Sequence, residues 1–144
     1  MPTTVRAMIA GKRDVYSVAP EATVFEALQV MAERNVGAVL VLHEGRICGI
    51  FSERDYARKI VIRNRTSRDT PVRDVMTTPV VCVSPRATAD DCMALMTDRR
   101  IRHLPVLDGE QLAGIVSIGD VVRAVVDEQQ RTISDLVSYI VSGA

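Results

Sequence analysis

The chain has 144 residues, of which 47% are hydrophobic and 25% charged, the balance of a folded protein rather than a disordered one. Its eighteen cations and eighteen anions cancel, so no net field draws it to nucleic acid or anionic lipid, and we expect neither as a partner. The longest apolar run, residues 36–42, is far shorter than the roughly 20 residues of a membrane span. No secretory signal is visible, and the three cysteines lack CxxC spacing, so we expect a cytoplasmic protein.

The first elements in the chain are a short extended run and an amphipathic helix. Residues 15–18 form the extended run, and Thr23 with Glu26 is a capping box that opens a helix over residues 23–34. Residues 38–42 predict a buried strand, and Glu44-Gly45 a hairpin turn that leads into a second strand over residues 46–51. Ser52 then caps another helix, which extends to about Arg63.

These elements are repeated later in the chain. A shift of 65 residues aligns residues 15–58 with a second stretch and requires no gap. The identities include Val15, Val18, Pro20, Thr23, Gly49, Ile50, Ser52 and Asp55 with Val80, Val83, Pro85, Thr88, Gly114, Ile115, Ser117 and Asp120. We therefore predict an α+β fold of two β-α-β-β-α units, small sheets packed with helices, related by approximate twofold symmetry.

The repeat also predicts the domain organisation. We expect the first unit over residues 5–63, a polar linker over 64–78, and the second unit over 79–126. In the linker, Val72, Val75 and Met76 are expected to dock as a short helical turn. Thr132 and Asp135 form a further capping box, which predicts a separate amphipathic helix over residues 132–142. That helix needs a surface to cover, either its own unit or a partner subunit.

Each copy ends in a Ser-x-x-Asp segment, Ser52–Asp55 and Ser117–Asp120, where a strand leads into a helix. One interpretation is purely structural, since Ser-x-x-Asp is a capping box that satisfies backbone amides. The other is functional, because the positive end of a helix attracts phosphate and the carboxylate could accept both hydroxyls of a ribose. Recurrence after the same strand favours the second interpretation.

A second chemical signal is Arg102-His103, at the start of the hairpin in the second copy. Arginine presents a planar fork of donors suited to phosphate, and histidine can add another. The alternative is a solvated arginine and a packed core imidazole. The first copy has Gly37 and Ala38 at these positions, whereas its Arg54 aligns with Gly119, so the two copies differ chemically. Pro105 cannot donate a ladder hydrogen bond, which indicates an edge or bulged position lining a cavity.

With these motifs, residues 5–126 resemble a tandem CBS-domain protein, or Bateman module, and most of all the small stand-alone bacterial proteins made of one CBS pair. The resemblance implies adenosyl ligands bound in clefts between the two units. It implies ribose binding by Asp55 and Asp120, and phosphate binding by Ser52, Ser117, Arg102 and His103. The sequence itself suggests Arg54 as a further phosphate-binding cation. It further implies that adenine is lined by apolar residues: Tyr16, Val36, Val81, Ile101, Pro105 and Ile115.

The resulting functional hypothesis is a non-catalytic sensor of adenine nucleotides in signal transduction. AMP is the first candidate ligand, followed by ATP, NAD and S-adenosylmethionine, and no cofactor acts as a catalyst. We expect a homodimer that passes its signal to another protein. The alternative is a ligand-free protein–protein interaction module. An enzyme is disfavoured because no nucleophile–base arrangement is evident, and His43 and His103 lack the spacing of metal ligands.

Overall fold

A computed structural model describes residues 2–11 and 14–143. The elements, in chain order, are α1 (Val5–Ile9), β1 (Ser17–Val18), α2 (Val24–Arg34), β2 (Ala38–His43), β3 (Arg46–Ser52), α3 (Glu53–Asp55) with a π-helical continuation (Tyr56–Val61), a 3₁₀ turn (Val72–Asp74), α4 (Ala89–Arg99), β4 (His103–Asp108), β5 (Gln111–Ser117) and α5 (Ile118–Val141). The mixed α and β architecture and the helices and hairpins of both copies confirm the prediction. The chain divides into two compact units, one comprising residues 14–80 and the other joining the N-terminal segment to residues from Val81 onward.

The unit of residues 14–80 is built on a three-stranded sheet. β1 pairs parallel to β2, and β2 pairs antiparallel to β3, with Ala38 opposite Ser52 at the open end of the hairpin. The turn residues Glu44 and Gly45 both have positive φ, 51° and 78°, as the sequence's hairpin turn requires. Apolar side chains of α2, the hairpin and the 3₁₀ turn form the core: Val24, Ala27, Met31, Val39, Val41, Phe51, Ile60, Val72 and Val75.

Among the described residues, the sheet of the second unit has two strands, and the extended run expected at residues 80–83 does not form a full third strand. It is reduced to an isolated bridge between Val83 and Val106. In the first copy, Leu40 N donates to Tyr16 O at 3.1 Å and holds β1 against β2. Pro105 occupies the position equivalent to Leu40 and has no N–H to donate, which weakens the pairing there.

The segment that precedes each repeat packs against the unit formed by the other repeat. α1 joins the second unit, where Val5 N donates to Ala87 O at 2.8 Å and the Val5 side chain is fully buried. The 3₁₀ turn joins the first unit, where Val72 N donates to Ala22 O at 2.7 Å. This grouping differs from the boundaries that chain order predicts (5–63, 64–78 and 79–126), although the docked turn at Val72 was itself expected.

The C-terminal helix also differs from the prediction. α5 is continuous for 24 residues, from its cap at Ser117 to Val141, and no new helix starts at Thr132. The Thr132 hydroxyl donates to Glu128 O at 3.0 Å, one turn back in the same helix, instead of capping a helix start. The predicted segment 132–142 is therefore the distal part of a longer helix.

Candidate functional site

Both Ser-x-x-Asp segments form complete capping boxes. Ser52 Oγ accepts from Asp55 N at 3.2 Å, while Asp55 Oδ2 accepts from Ser52 N at 3.0 Å and from Ser52 Oγ at 3.1 Å. The corresponding distances at Ser117 and Asp120 are 3.2, 2.8 and 2.9 Å. The two aspartates are only 7% and 9% exposed. Both motifs thus act as capping boxes, and each box holds a carboxylate in a buried position.

The second carboxylate oxygen has different partners in the two copies. Asp55 Oδ1 accepts from Thr77 Oγ1 at 2.9 Å and lies 3.1 Å from Lys59 Nζ, which also donates to Val75 O at 3.0 Å. Asp120 Oδ1 instead accepts from a terminal nitrogen of Arg123 at 2.8 Å. The Arg123 side chain is 72% exposed, whereas the Lys59 side chain is 30% exposed. Asp55 is therefore held by a half-buried lysine, and Asp120 contacts a solvated guanidinium group.

The start of each hairpin lies beside its capping serine. His103 is the cross-strand partner of Ser117, and Ile118 N donates to Arg102 O at 2.8 Å. In the first copy, Ala38 pairs with Ser52, and Glu53 N donates to Gly37 O at 3.1 Å. The structure thus brings Arg102 and His103 next to Ser117, as the sequence predicts.

The cations differ in exposure. The side chains of Arg102 and Arg54 are exposed, and His103 is partly buried. Two amides at each helix start already donate within the protein, to the serine hydroxyl and to the preceding hairpin carbonyl. A phosphate bound here would consequently depend strongly on the cationic side chains.

The predicted adenine-lining residues fall into both units. Tyr16 and Val36 pack partly buried against the core of the first unit. Val81 and Ile101 pack against the core of the second, in which Pro105 is buried and lies opposite Ile115 across the hairpin. The Arg34 guanidinium lies 5.1 Å from the centre of the Tyr16 ring, a cation–π contact.

Three residues outside the predicted site contact the candidate aspartates: Lys59, Thr77 and Arg123. Lys59 stands four residues after Asp55 and Arg123 three residues after Asp120, spacings that place side chains on one helix face. Those two could have been found from the helical spacing. Thr77 follows Asp55 by 22 residues, and no local pattern indicates its contact.

Other chemistry is limited in the part of the chain that the structure describes. No cluster of three or more His, Cys, Asp or Glu side chains within residues 2–11 and 14–143 could hold a metal ion. None of the helices in those ranges combines the length and hydrophobicity of a membrane span. Burial raises the pKa of the Cys82 thiol, and burial together with the Asp91 carboxylate raises that of Cys92 to about 11.

Comparisons with known proteins agree with this architecture. The family model described as "CBS domain" matches residues 6–62 and 72–127. The chain is 44% identical over 126 residues to the mitochondrial CBS domain-containing protein CBSX3 of Arabidopsis thaliana, covering 84% of this chain and 61% of that protein. It is 38% identical over 106 residues to the CBS domain-containing protein YhcV of Bacillus subtilis, covering 74% of this chain and 75% of that one.

Solved structures show the same relationship. A CBS-domain protein from Burkholderia ambifaria superimposes with a TM-score of 0.85 at 46% identity, covering 88% of this chain and 96% of that chain. Each family match includes a helix, a hairpin and one of the two buried aspartates. The chain belongs to the CBS-domain family and contains two CBS domains in tandem.

Proposed function

We propose that this chain is a non-catalytic regulatory module that binds an adenine nucleotide, with AMP as the first candidate. The observation that supports this most directly is the buried capping carboxylate at the end of each hairpin, Asp55 and Asp120, in the second copy beside Arg102 and His103. A carboxylate fixed by backbone and hydroxyl donors is a strong acceptor for the paired hydroxyls of a ribose. The neighbouring cations would then bind the phosphate.

In this proposal, the Asp120 carboxylate exchanges part of its contact with Arg123 for ribose hydroxyls. Because the Arg123 side chain is 72% exposed, its guanidinium group can move toward solvent or toward a ligand phosphate at small cost. Arg102, His103 and Ser117 supply further donors to phosphate. Val81, Ile101, Pro105 and Ile115 supply the apolar surface for the base. In the first copy, Ser52, Asp55, Arg54, Tyr16 and Val36 take the equivalent roles.

Relatives support an adenosyl ligand on this fold. The CBS domain pair of protein MJ0100 has been solved in complex with 5′-methylthioadenosine and S-adenosyl-L-methionine, and it shares the fold of this chain at a TM-score of 0.79 and 21% identity. Inosine-5′-monophosphate dehydrogenase of Methanocaldococcus jannaschii is 34% identical over 113 residues, which cover 22% of its length. The chain therefore matches a minor part of that enzyme, in line with a regulatory role here.

Titration calorimetry with AMP, ATP, NAD and S-adenosylmethionine tests the proposal. We expect AMP to bind, and we expect Asp120→Asn to weaken its affinity about tenfold to a hundredfold, because a charge-assisted acceptor for ribose is lost. Asp55→Asn should do the same for a site in the first copy.

Asp91→Asn is the matched control, since Asp91 forms the same capping box with Thr88 on α4, away from either hairpin end. It should leave AMP affinity unchanged while removing a comparable capping charge. Absence of heat with all four compounds, or equal affinities in the Asp55 and Asp120 variants and the wild type, contradicts the proposal.

The second candidate function is a ligand-free interaction module. It is favoured by the internal hydrogen bonds that already occupy both oxygens of Asp55 and Asp120. The two functions are distinguished by the absorbance of the purified protein. The chain contains no tryptophan, so co-purified nucleotide would raise the absorbance near 260 nm visibly.

We further propose that the chain acts in the cytoplasm as a homodimer and transmits ligand binding to a separate protein. A ligand can shift a conformational equilibrium only by its difference in affinity for the two states. The downstream protein would therefore recognise the ligand-bound arrangement.

A further inference from the structure

The distal part of α5 is exposed on every side. All residues from 129 to 143 are solvent-exposed, whereas Val121 and Ala124, at the start of the helix, are buried in the unit core. Large apolar side chains are included: Ile133 is 61% exposed, Leu136 58% and Ile140 74%. A helical segment this short is marginal in water without packing of its apolar face. The apolar face of the distal helix is therefore open to a partner surface.

Four of the large exposed apolar side chains in residues 126–141 follow a seven-residue repeat, and Val137, Tyr139 and Val141 lie outside it. Val126, Ile133 and Ile140 are seven residues apart, and Gln129 and Leu136 lie three residues after the first two of them. These are the a and d positions of a coiled coil, which lie along one side of the helix. Every a position is β-branched, and the two d positions are Gln129 and Leu136. In parallel coiled coils, β-branched residues at a with leucine at d favour two strands.

The charges on the polar face of the distal helix argue against a membrane surface as its partner. That face carries Asp127, Glu128 and Asp135 against a single cation, Arg131, so an anionic lipid surface would repel it. Val126, Ile133, Leu136 and Ile140 are 43%, 61%, 58% and 74% exposed, so a partner helix would bury much of four large apolar side chains. The a and d side chains of one such helix can pack against the a and d side chains of the same helix in a second copy of the chain.

We infer that residues 126–140 of α5 pair with the same residues of a second copy as a parallel two-stranded coiled coil, in which the two Gln129 side chains face each other. Val126, Ile133, Leu136 and Ile140 then stack in matching layers. A polar pair at one core layer fixes register and orientation at some expense of stability. This inference rests on the proposed homodimer and adds the surface that forms it.

Sedimentation equilibrium tests the surface. We expect the wild type to be dimeric at micromolar concentration, and Ile133→Glu or Leu136→Glu to raise the dimer dissociation constant by about a hundredfold or more, because a charge is placed in an apolar layer. Ser138→Glu is the matched control: Ser138 is exposed on the opposite side of the helix and should leave the constant unchanged. Circular dichroism and AMP titration on the same samples show that each variant is folded.

The outcomes separate the two proposals. A dimer that persists in Ile133→Glu and Leu136→Glu overturns the coiled coil and leaves the homodimer in place. A wild type that is monomeric up to about 100 µM overturns both, whatever its affinity for AMP.

Cysteine cross-linking tests the orientation. Gln129→Cys is introduced with Cys48→Ser and Cys82→Ser, so that the two partly buried native thiols cannot react. In a parallel pair the two introduced thiols meet within disulfide distance, and oxidation should give a covalent dimer on a non-reducing gel. Asp127→Cys, on the outer face, should stay monomeric under the same conditions. Equal cross-linking of the two variants, or none in the Gln129→Cys variant, overturns the parallel arrangement.

Discussion

The buried position of the Cys92 thiol lowers its reactivity. It lies on α4, fully buried with Val5, Ala89 and Met96 in the core of the second unit. Burial disfavours the charged thiolate, and the carboxylate of Asp91 beside it acts in the same direction, so the pKa rises to about 11. A neutral, buried thiol behaves as a small apolar side chain.

This predicts selective alkylation. At pH 8, a pKa of about 11 leaves roughly one Cys92 in a thousand as thiolate, in addition to its burial. Iodoacetamide should therefore label the partly exposed Cys48 long before Cys92 in the native protein, as measured by mass spectrometry of the tryptic peptides. In urea all three cysteines should react at similar rates. Rapid native labelling of Cys92 would show that the core opens around α4.

Among single residues, the sequence predicts the two serine–aspartate pairs but only some of the side chains that contact them. A capping box depends on residues three apart, so Ser52–Asp55 and Ser117–Asp120 could be found from spacing alone. The contact of Arg102 and His103 with the second box followed from the hairpin register. Thr77 could not be predicted, because its contact with Asp55 exists only once the segment after the 3₁₀ turn has docked on the hairpin.

Among the elements, the two hairpins depend on close approach at one glycine each. A Cβ added to Gly49 would lie 2.5 Å from Met76 Sδ and 2.7 Å from Met76 Cγ, which is closer than real contacts allow. The same addition at Gly114 would lie 3.3 Å from the Ile9 side chain, a tight but tolerable contact. The repeated glycine therefore makes room for the segment that packs across each hairpin.

We accordingly expect Gly49→Ala to destabilise the protein by about 1–3 kcal/mol, because Met76 must leave its position against the core. Gly114→Ala is the paired comparison and should cost less, since Ile9 needs to shift by only a few tenths of an ångström. Urea denaturation followed by circular dichroism gives both free energies of unfolding. A larger loss at Gly114 than at Gly49 would contradict the expectation.

The elements themselves were largely predictable, and the two exceptions have local causes. The strand expected at residues 80–83 is shortened to a bridge at Val83, because Pro105 replaces the donor that Leu40 provides in the first copy. The break expected before Thr132 did not occur, because residues 127–131 (Asp-Glu-Gln-Gln-Arg) include strong helix formers that continue the helix through the apparent cap. A capping box starts a helix only where the preceding chain is not already helical.

On the scale of the whole molecule, the crossed packing of the segments before the repeats decides which parts of the chain are stabilised together. Val5 is fully buried among α4, β4, β5 and α5, more than 80 residues later in the chain. Val72 is fully buried in the first unit, where it belongs to the same core cluster as side chains of α2 and the β2–β3 hairpin. The sequence could not assign these contacts, because Val5–Met8 and Val72–Val75 resemble each other and either could match either repeat.

Val5→Ala should therefore destabilise the second unit although residue 5 precedes the first. We expect a cost of about 2 kcal/mol from the lost methyl groups and the cavity they leave. Hydrogen exchange read by mass spectrometry should show faster exchange in α4 and in the β4–β5 hairpin, with the β2–β3 hairpin unchanged. Val72→Ala is the reciprocal variant and should speed exchange in β2–β3. Equal acceleration in both hairpins for each variant would contradict the crossed assignment.

The docking of α1 has a consequence for synthesis on the ribosome. The 14–80 region contains all of its own contacts as soon as residue 80 has emerged, so it can fold early. The N-terminal helix, by contrast, must wait until α4 and the β4–β5 hairpin have been translated, roughly 110 residues later, which takes about 5–20 s at ordinary elongation rates. Throughout that interval Val5, Met8 and Ile9 are available to chaperones and to neighbouring nascent chains.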